Sequence, residues 1–109
     1  SEIETVDDLK PHAMLVLLSI CRRLRKKETM TTGDVENLYQ VVCEEYEQEM
    51  KSHTTIWKYL KELENRQIIV SRIDTISEGR GRTTHLSMPH FLPTDIAKRV
   101  EMLLKKRLK

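Results

Sequence analysis

The residues best placed to meet another molecule lie in the stretch SEGRGRTTHLS, residues 77–87. Arg80 and Arg82 alternate there with Gly79 and Gly81, directly after an apolar run. Glycine takes positive φ at little steric cost, so the stretch reads as a tight turn. Two guanidiniums on such a tip, followed by Thr83, are either a solvated hairpin end or a probe for an anion. Other chemistries have no matching residues. Cys21 and Cys43 fall in helical patterns without a CxxC, and His12, His53, His85 and His90 are scattered, so no metal site is expected. Lone thiols at apolar positions read as core residues in a reducing compartment. Paired carboxylates, a nucleophile with its base and the phosphate-loop pattern GxxxxGK[ST] are all missing from the sequence. Neither an enzyme nor a bound cofactor is therefore expected of this stretch of chain.

The charge distribution supports an anionic partner. Residues 1–50 hold 6 Lys/Arg against 11 Asp/Glu, whereas residues 51–109 hold 13 against 6. The formal net charge of +2 hides this split, which is expected where one part of a domain meets a polyanion. A chain of 109 residues makes one domain with a real core. Its longest apolar run, AMLVLLSIC at 13–21, is far short of the roughly 20 residues a membrane helix needs. The first ten residues are acidic, unlike a signal peptide. The expected location is cytoplasmic, associated with the nucleoid and away from membranes. Beginning at Ser1, the sequence reads as a piece of a longer protein, with 1–8 a tail or linker and 9–109 the domain.

Apolar periodicity locates the elements that carry these residues. A first helix is predicted from Leu9 to about Lys27, capped by Asp8, with Met14, Leu17, Leu18, Cys21 and Leu24 on its core face. Its basic end, RRLRKK at 22–27, reads as a solvated terminus beside the helix dipole. A short β-permissive link leads to a second helix over 33–49, capped by Thr31 or Thr32, with Val35, Leu38, Tyr39, Val42 and Tyr46 inward. Its acidic face, Glu44, Glu45, Glu47 and Glu49, should point away from any nucleic acid. Ser52 caps a third helix over roughly 53–66, whose buried stripe is Ile56, Leu60 and Leu63. At 100° per residue the opposite face collects Thr54, Lys58, Lys61 and Asn65, with Thr55 and Glu62 alongside and Trp57 on a flank. Hydroxyls and lysines beginning in a first turn suit phosphate and base edges, as they also suit water. His53 either reaches a phosphate or packs beside the cap. Strands over 67–77 and 83–88 flank the glycine turn, and a last basic helix, capped by Thr94 and ending near Arg107, brings Ile96, Val100, Leu103 and Leu104 to the core.

The order is helix, β link, helix, helix, strand, turn, strand, helix. The fold class is mainly α with a small β-hairpin, a winged helix-turn-helix, which puts its third helix in the major groove and its wing at the minor groove or backbone. Three segments carry a family resemblance: TTGDVENLY at 31–39, SHTTIWKYLKELE at 52–64 and GRGRT at 79–83. In this order and spacing the chain resembles the C-terminal winged-helix domain of archaeal replication initiators of the origin-recognition/cell-division-cycle (Orc/Cdc) family. The resemblance implies double-stranded origin DNA as partner, an upstream AAA+ module in the same chain, and other replication proteins nearby. It also implies that Thr54, Thr55, Lys58, Arg80 and Arg82 face the duplex, with the acidic Glu78 beside the tip as a departure. A winged-helix transcription regulator, dimerising through the last helix, is a second reading. A protein-docking module using the acidic second helix and Trp57 is a third.

Overall fold

The computed structural model describes residues 2–75 and 81–108. A short 3-10 helix, Glu2–Val6, precedes α1 (Pro11–Leu24), β1 (Met30–Thr31), α2 (Thr32–Glu45) and α3 (His53–Asn65). The chain continues through β2 (Val70–Thr75), β3 (Arg82–Ser87) and α4 (Pro93–Arg107). α1 is the central post: every residue from His12 to Cys21 is buried, and α2, α3 and α4 all pack on it. That all-round burial explains why its sequence is apolar on more than one side. α4 closes the core with Ile96, Ala97, Val100 and Leu104. Ile68 and Ile69 are buried in the link between α3 and β2.

The sheet has three antiparallel strands in the order β1-β3-β2, with Met30 opposite Leu86 and Ile73 opposite Thr84. The predicted hairpin is thus extended by the two-residue β1, which ties the link before α2 to the wing strands.

Three local expectations need correction. Asp8 does not cap α1; the cap position is Lys10 with no side-chain bond, and Pro11 starts the helix because its fixed φ suits the first turn. Thr94 likewise lies inside α4, which begins at Pro93. The segment read as a tail, 1–8, is packed onto the domain: Val6 joins the core next to Leu9. Arg99 grips Asp7 with two bonds of 2.7 Å, and Arg66 reaches Asp8 at 2.6 Å and the Thr5 carbonyl at 2.7 Å. Arg107 adds bonds to the carbonyls of Asp7 and Leu9. These arginines hold both carboxyls below the usual aspartate range.

The end of α2 also differs from the periodicity, which ran to 49, whereas α3 ends within a residue of the predicted 66. α2 stops at Glu45 and α3 at Asn65 through the same device. Glu47 (φ 56°) and Gln67 (φ 61°) turn left-handed. The next amides, Gln48 and Ile68, then bond back to the Cys43 and Leu63 carbonyls. Glycine usually occupies this position, because a side chain costs about 1 kcal/mol there. Glu47→Gly and Gln67→Gly are therefore each expected to raise stability by up to about 1 kcal/mol in urea unfolding. A clear loss in both would mean that these side chains carry compensating contacts.

Candidate nucleic-acid interface

α3 is set in place at its first turn. Ser52 is its N-cap: the Oγ accepts from the Thr55 amide at 3.2 Å and lies 3.1 Å from the Thr55 hydroxyl. Inward, Ile56, Leu60 and Leu63 are buried as predicted. Outward, Thr54, Lys58, Lys61 and Asn65 are all exposed. The helix also carries Glu62 and Glu64, which would weaken a cationic face if left free. Arg66 neutralises Glu62 at 2.8 Å, whereas Glu64 keeps its charge and accepts from the Ser71 hydroxyl. Lys58 and Lys61 have no ion pair among the described residues. The outer face of α3 is left with hydroxyl donors and two free cations.

His53 does not stand free at the helix start. The Trp57 indole N–H can only donate, and it reaches His53 Nε2 at 2.6 Å. The His53 proton therefore sits on Nδ1, which donates to Glu36 Oε1 of α2 at 3.0 Å. His53 is thus tied to Trp57 and Glu36, while its side chain stays 67% exposed. Trp57 and Glu36 are neighbours that helical spacing alone did not assign to the site. The i,i+4 separation of His53 and Trp57 was the one available signal.

A second relay fixes the turn between α2 and α3. Tyr39 is fully buried; its hydroxyl accepts from the Lys51 amide at 2.9 Å and donates to His12 Nδ1 at 2.8 Å. His12 Nε2 then donates to Gln48 Oε1 at 3.3 Å. The turn that ends in Ser52 is thereby tied to α1. Burial lowers the pKa of His12 below its ordinary 6.5. The unfolded chain then binds the proton more readily, so stability is intact above about pH 6.5 and falls as pH drops through the folded pKa. His12→Gln should lose less stability between pH 7 and pH 5 than the native chain does, measured by urea midpoints. An equal loss would place the acid sensitivity elsewhere.

On the wing, Gly81 has φ +114° with open space where a Cβ would sit, so the turn does use glycine for its backbone freedom. Arg82 is exposed at the start of β3. Strand alternation puts Arg82, Thr84 and Leu86 on one face, with Ser71 and Ile73 of β2. A groove of about 160 Å³ lies on that side, between the sheet and Trp57, Leu60 and Lys61 of α3. Arg82 therefore shares a side with α3. Thr83 falls on the opposite face, across from Asp74, which lies 3.5 Å from Arg72 and 3.3 Å from His85. Arg80, with Gly79 and Glu78, lies outside the described residues.

The remaining basic groups divide in two. Arg22 is bound by Glu45 at 2.6 Å, with Glu101 at 3.5 Å, and Arg99 is spent on Asp7. Arg23, Arg25, Lys26 and Lys27, at and just after the end of α1, line a shallow groove with Leu38 of α2, and Lys98, Lys105 and Lys106 are exposed on α4. Glu44, Glu47 and Glu49 are exposed at the end of α2 and beyond it. Both cysteines are buried and unpaired, and burial pushes the Cys21 thiol up to about 12, out of reach of redox or ligand chemistry near neutrality. Among the described residues no cluster of His, Cys, Asp and Glu could hold a metal, and no helix is long and apolar enough to cross a membrane.

A helix-turn-helix on a helical core, backed by a three-stranded sheet whose last two strands form the wing, defines a winged-helix domain. The family described as the "CDC6, C terminal winged helix domain" matches residues 4–91, and the chain belongs to that family of Cdc6/ORC replication initiation proteins. It is similar to the ORC1-type DNA replication protein 2 of Saccharolobus solfataricus, 31% identical over 98 residues, covering 85% of this chain and 22% of that protein. The protein of that name from Sulfurisphaera tokodaii is 32% identical over 89 residues, covering 79% and 21%. The chain thus spans about a fifth of the length of these curated relatives. Among solved structures it resembles Cdc6p from Pyrobaculum aerophilum, with a TM-score of 0.86 at 29% identity over 98% of this chain and 27% of that one. It also resembles the Aeropyrum pernix ORC1 protein, solved in complex with DNA, with a TM-score of 0.77 at 25% identity over 97% and 26%.

Proposed function

We propose that this chain binds double-stranded DNA at replication origins, as the winged-helix part of an initiator whose AAA+ module lies elsewhere in the same protein. α3 enters the major groove, with Thr54, Lys58 and Lys61 toward the duplex and Ser52 and Thr55 fixing its start. The wing meets the minor groove or the backbone through Arg82 and, by sequence, Arg80. The observation that carries this reading is the charge arrangement on α3: its carboxylates are engaged, and its two outer lysines are not. Lys58 and Lys61 are thereby left as unpaired cations on the exposed face, which suits a polyanion. The DNA complex of the Aeropyrum pernix ORC1 protein adds support. Other replication proteins are its further partners, the cytoplasmic nucleoid its place, and no cofactor acts in this part.

Arg82 should matter more to binding than any one basic residue of α4. A hairpin end fits the minor groove, about 6 Å wide, where negative potential is concentrated, whereas a helix about 10 Å across does not. Competition of Arg82→Ala and Lys105→Ala on one duplex tests this. The first variant is expected to compete more poorly. The reverse order would move the contact surface from the wing to α4.

A further inference from the structure

We propose that Trp57 reads bases: its indole, with Ile73 beside it, packs on thymine methyl groups, and His53 and Glu36 position it for that contact. The inference rests on the DNA-binding reading above and adds a source of sequence preference to it.

Trp57 is 39% exposed and Ile73 57% exposed, so neither is needed to fill the core. An indole left on a surface by chance has no reason to be held, yet this one is held at both steps of a relay. Its N–H donates to His53, and His53 donates to Glu36 on the neighbouring helix. The two rings meet edge to face, 5.9 Å apart at 72°. The ring orientation is therefore set before any partner arrives, which lowers the cost of ordering it on binding.

The groove under the indole is small and apolar at its base, with Leu60, Ile69 and Leu86, and Lys61 stands at its rim. Arg82 projects from the same side of the sheet. Its one acid, Glu64, is taken by Ser71. An occupant must bring small apolar knobs together with negative charge. Duplex DNA does so in the major groove, where the thymine C5-methyl is the apolar group on the base edges. A hydrophobic anchor of a protein partner would fill the groove but leave Lys58 and Lys61 unanswered.

Trp57 is the single tryptophan of the chain, so its emission reports this site alone. The 109-residue chain would first select a duplex from a random pool. It would then be titrated with that duplex and with the same duplex made with uracil in place of thymine. With the thymine duplex the emission should shift to the blue and resist acrylamide quenching. The uracil duplex should bind about fourfold more weakly for each methyl contacted, from about 0.8 kcal/mol per buried carbon. Trp57→Ala should bind both duplexes alike while keeping its salt dependence, since the lysines remain. His53→Ala should lose part of the thymine preference and show faster quenching of Trp57 in the free protein, with an unchanged far-UV spectrum. Duplex binding without any change in Trp57 emission would overturn the proposal and leave the DNA-binding reading intact. So would a Trp57→Ala variant that still distinguishes thymine from uracil, or an emission shift caused only by an acidic apolar peptide. Failure of the chain to bind any duplex would overturn both.

Discussion

Replacing Tyr39 with alanine is expected to cost about 3–5 kcal/mol, a large share of the roughly 5–15 kcal/mol that holds a domain folded. The side chain is fully buried between α1 and α2, so a cavity of aromatic size would open beside the central helix. His12 Nδ1 would also lose its donor and the Lys51 amide its acceptor. Tyr39→Phe separates these contributions, because it keeps the ring and removes only the hydroxyl. It should cost about 1–3 kcal/mol in urea unfolding, the range for stranding buried polar groups. Amide exchange should rise over residues 46–52, since that turn would lose its tie to α1. A phenylalanine variant as stable as the native chain would mean that the relay does not hold the turn.

Reversing charge at both outer lysines of α3, as Lys58→Glu with Lys61→Glu, should weaken duplex binding by roughly 100-fold at moderate salt, about 2.7 kcal/mol. Each change removes an attraction to phosphate and adds a repulsion. Both side chains are exposed, so the fold should be unaffected and the far-UV spectrum unchanged. A loss of binding with an intact spectrum assigns the effect to the interface. Binding within twofold of the native chain would mean that this face of α3 looks into solvent.

The division of α3 into a buried and an exposed face was legible because it is local: 100° steps around one helix separate Ile56, Leu60 and Leu63 from Thr54, Lys58 and Lys61. The order of helices and strands followed from periodicity in the same way, and with it the winged-helix fold. The end of α2 was not legible, because Glu47 takes the left-handed turn without the glycine that would mark it. The acidic start of the chain looked like a free tail because the arginines that pair with Asp7 and Asp8 lie far along the sequence, in α4 and after α3. Charge alone does not name a partner at that distance. The same holds for the link before α2, which pairs with β3 only when the wing folds back. His53 remained ambiguous for a related reason: Trp57 is one helical turn away, but Glu36 comes from another helix.

Contact between the outer face of α3 and DNA phosphate, as proposed, is read from a salt series of duplex binding, run on the native chain and on Lys58→Ala with the same duplex. Each phosphate contact adds about 0.9 to the slope of log affinity against log salt. The native chain should bind more weakly as salt rises, and Lys58→Ala should show a slope shallower by about one. Equal slopes, or native binding indifferent to salt, would mean that the outer face of α3 does not meet phosphate.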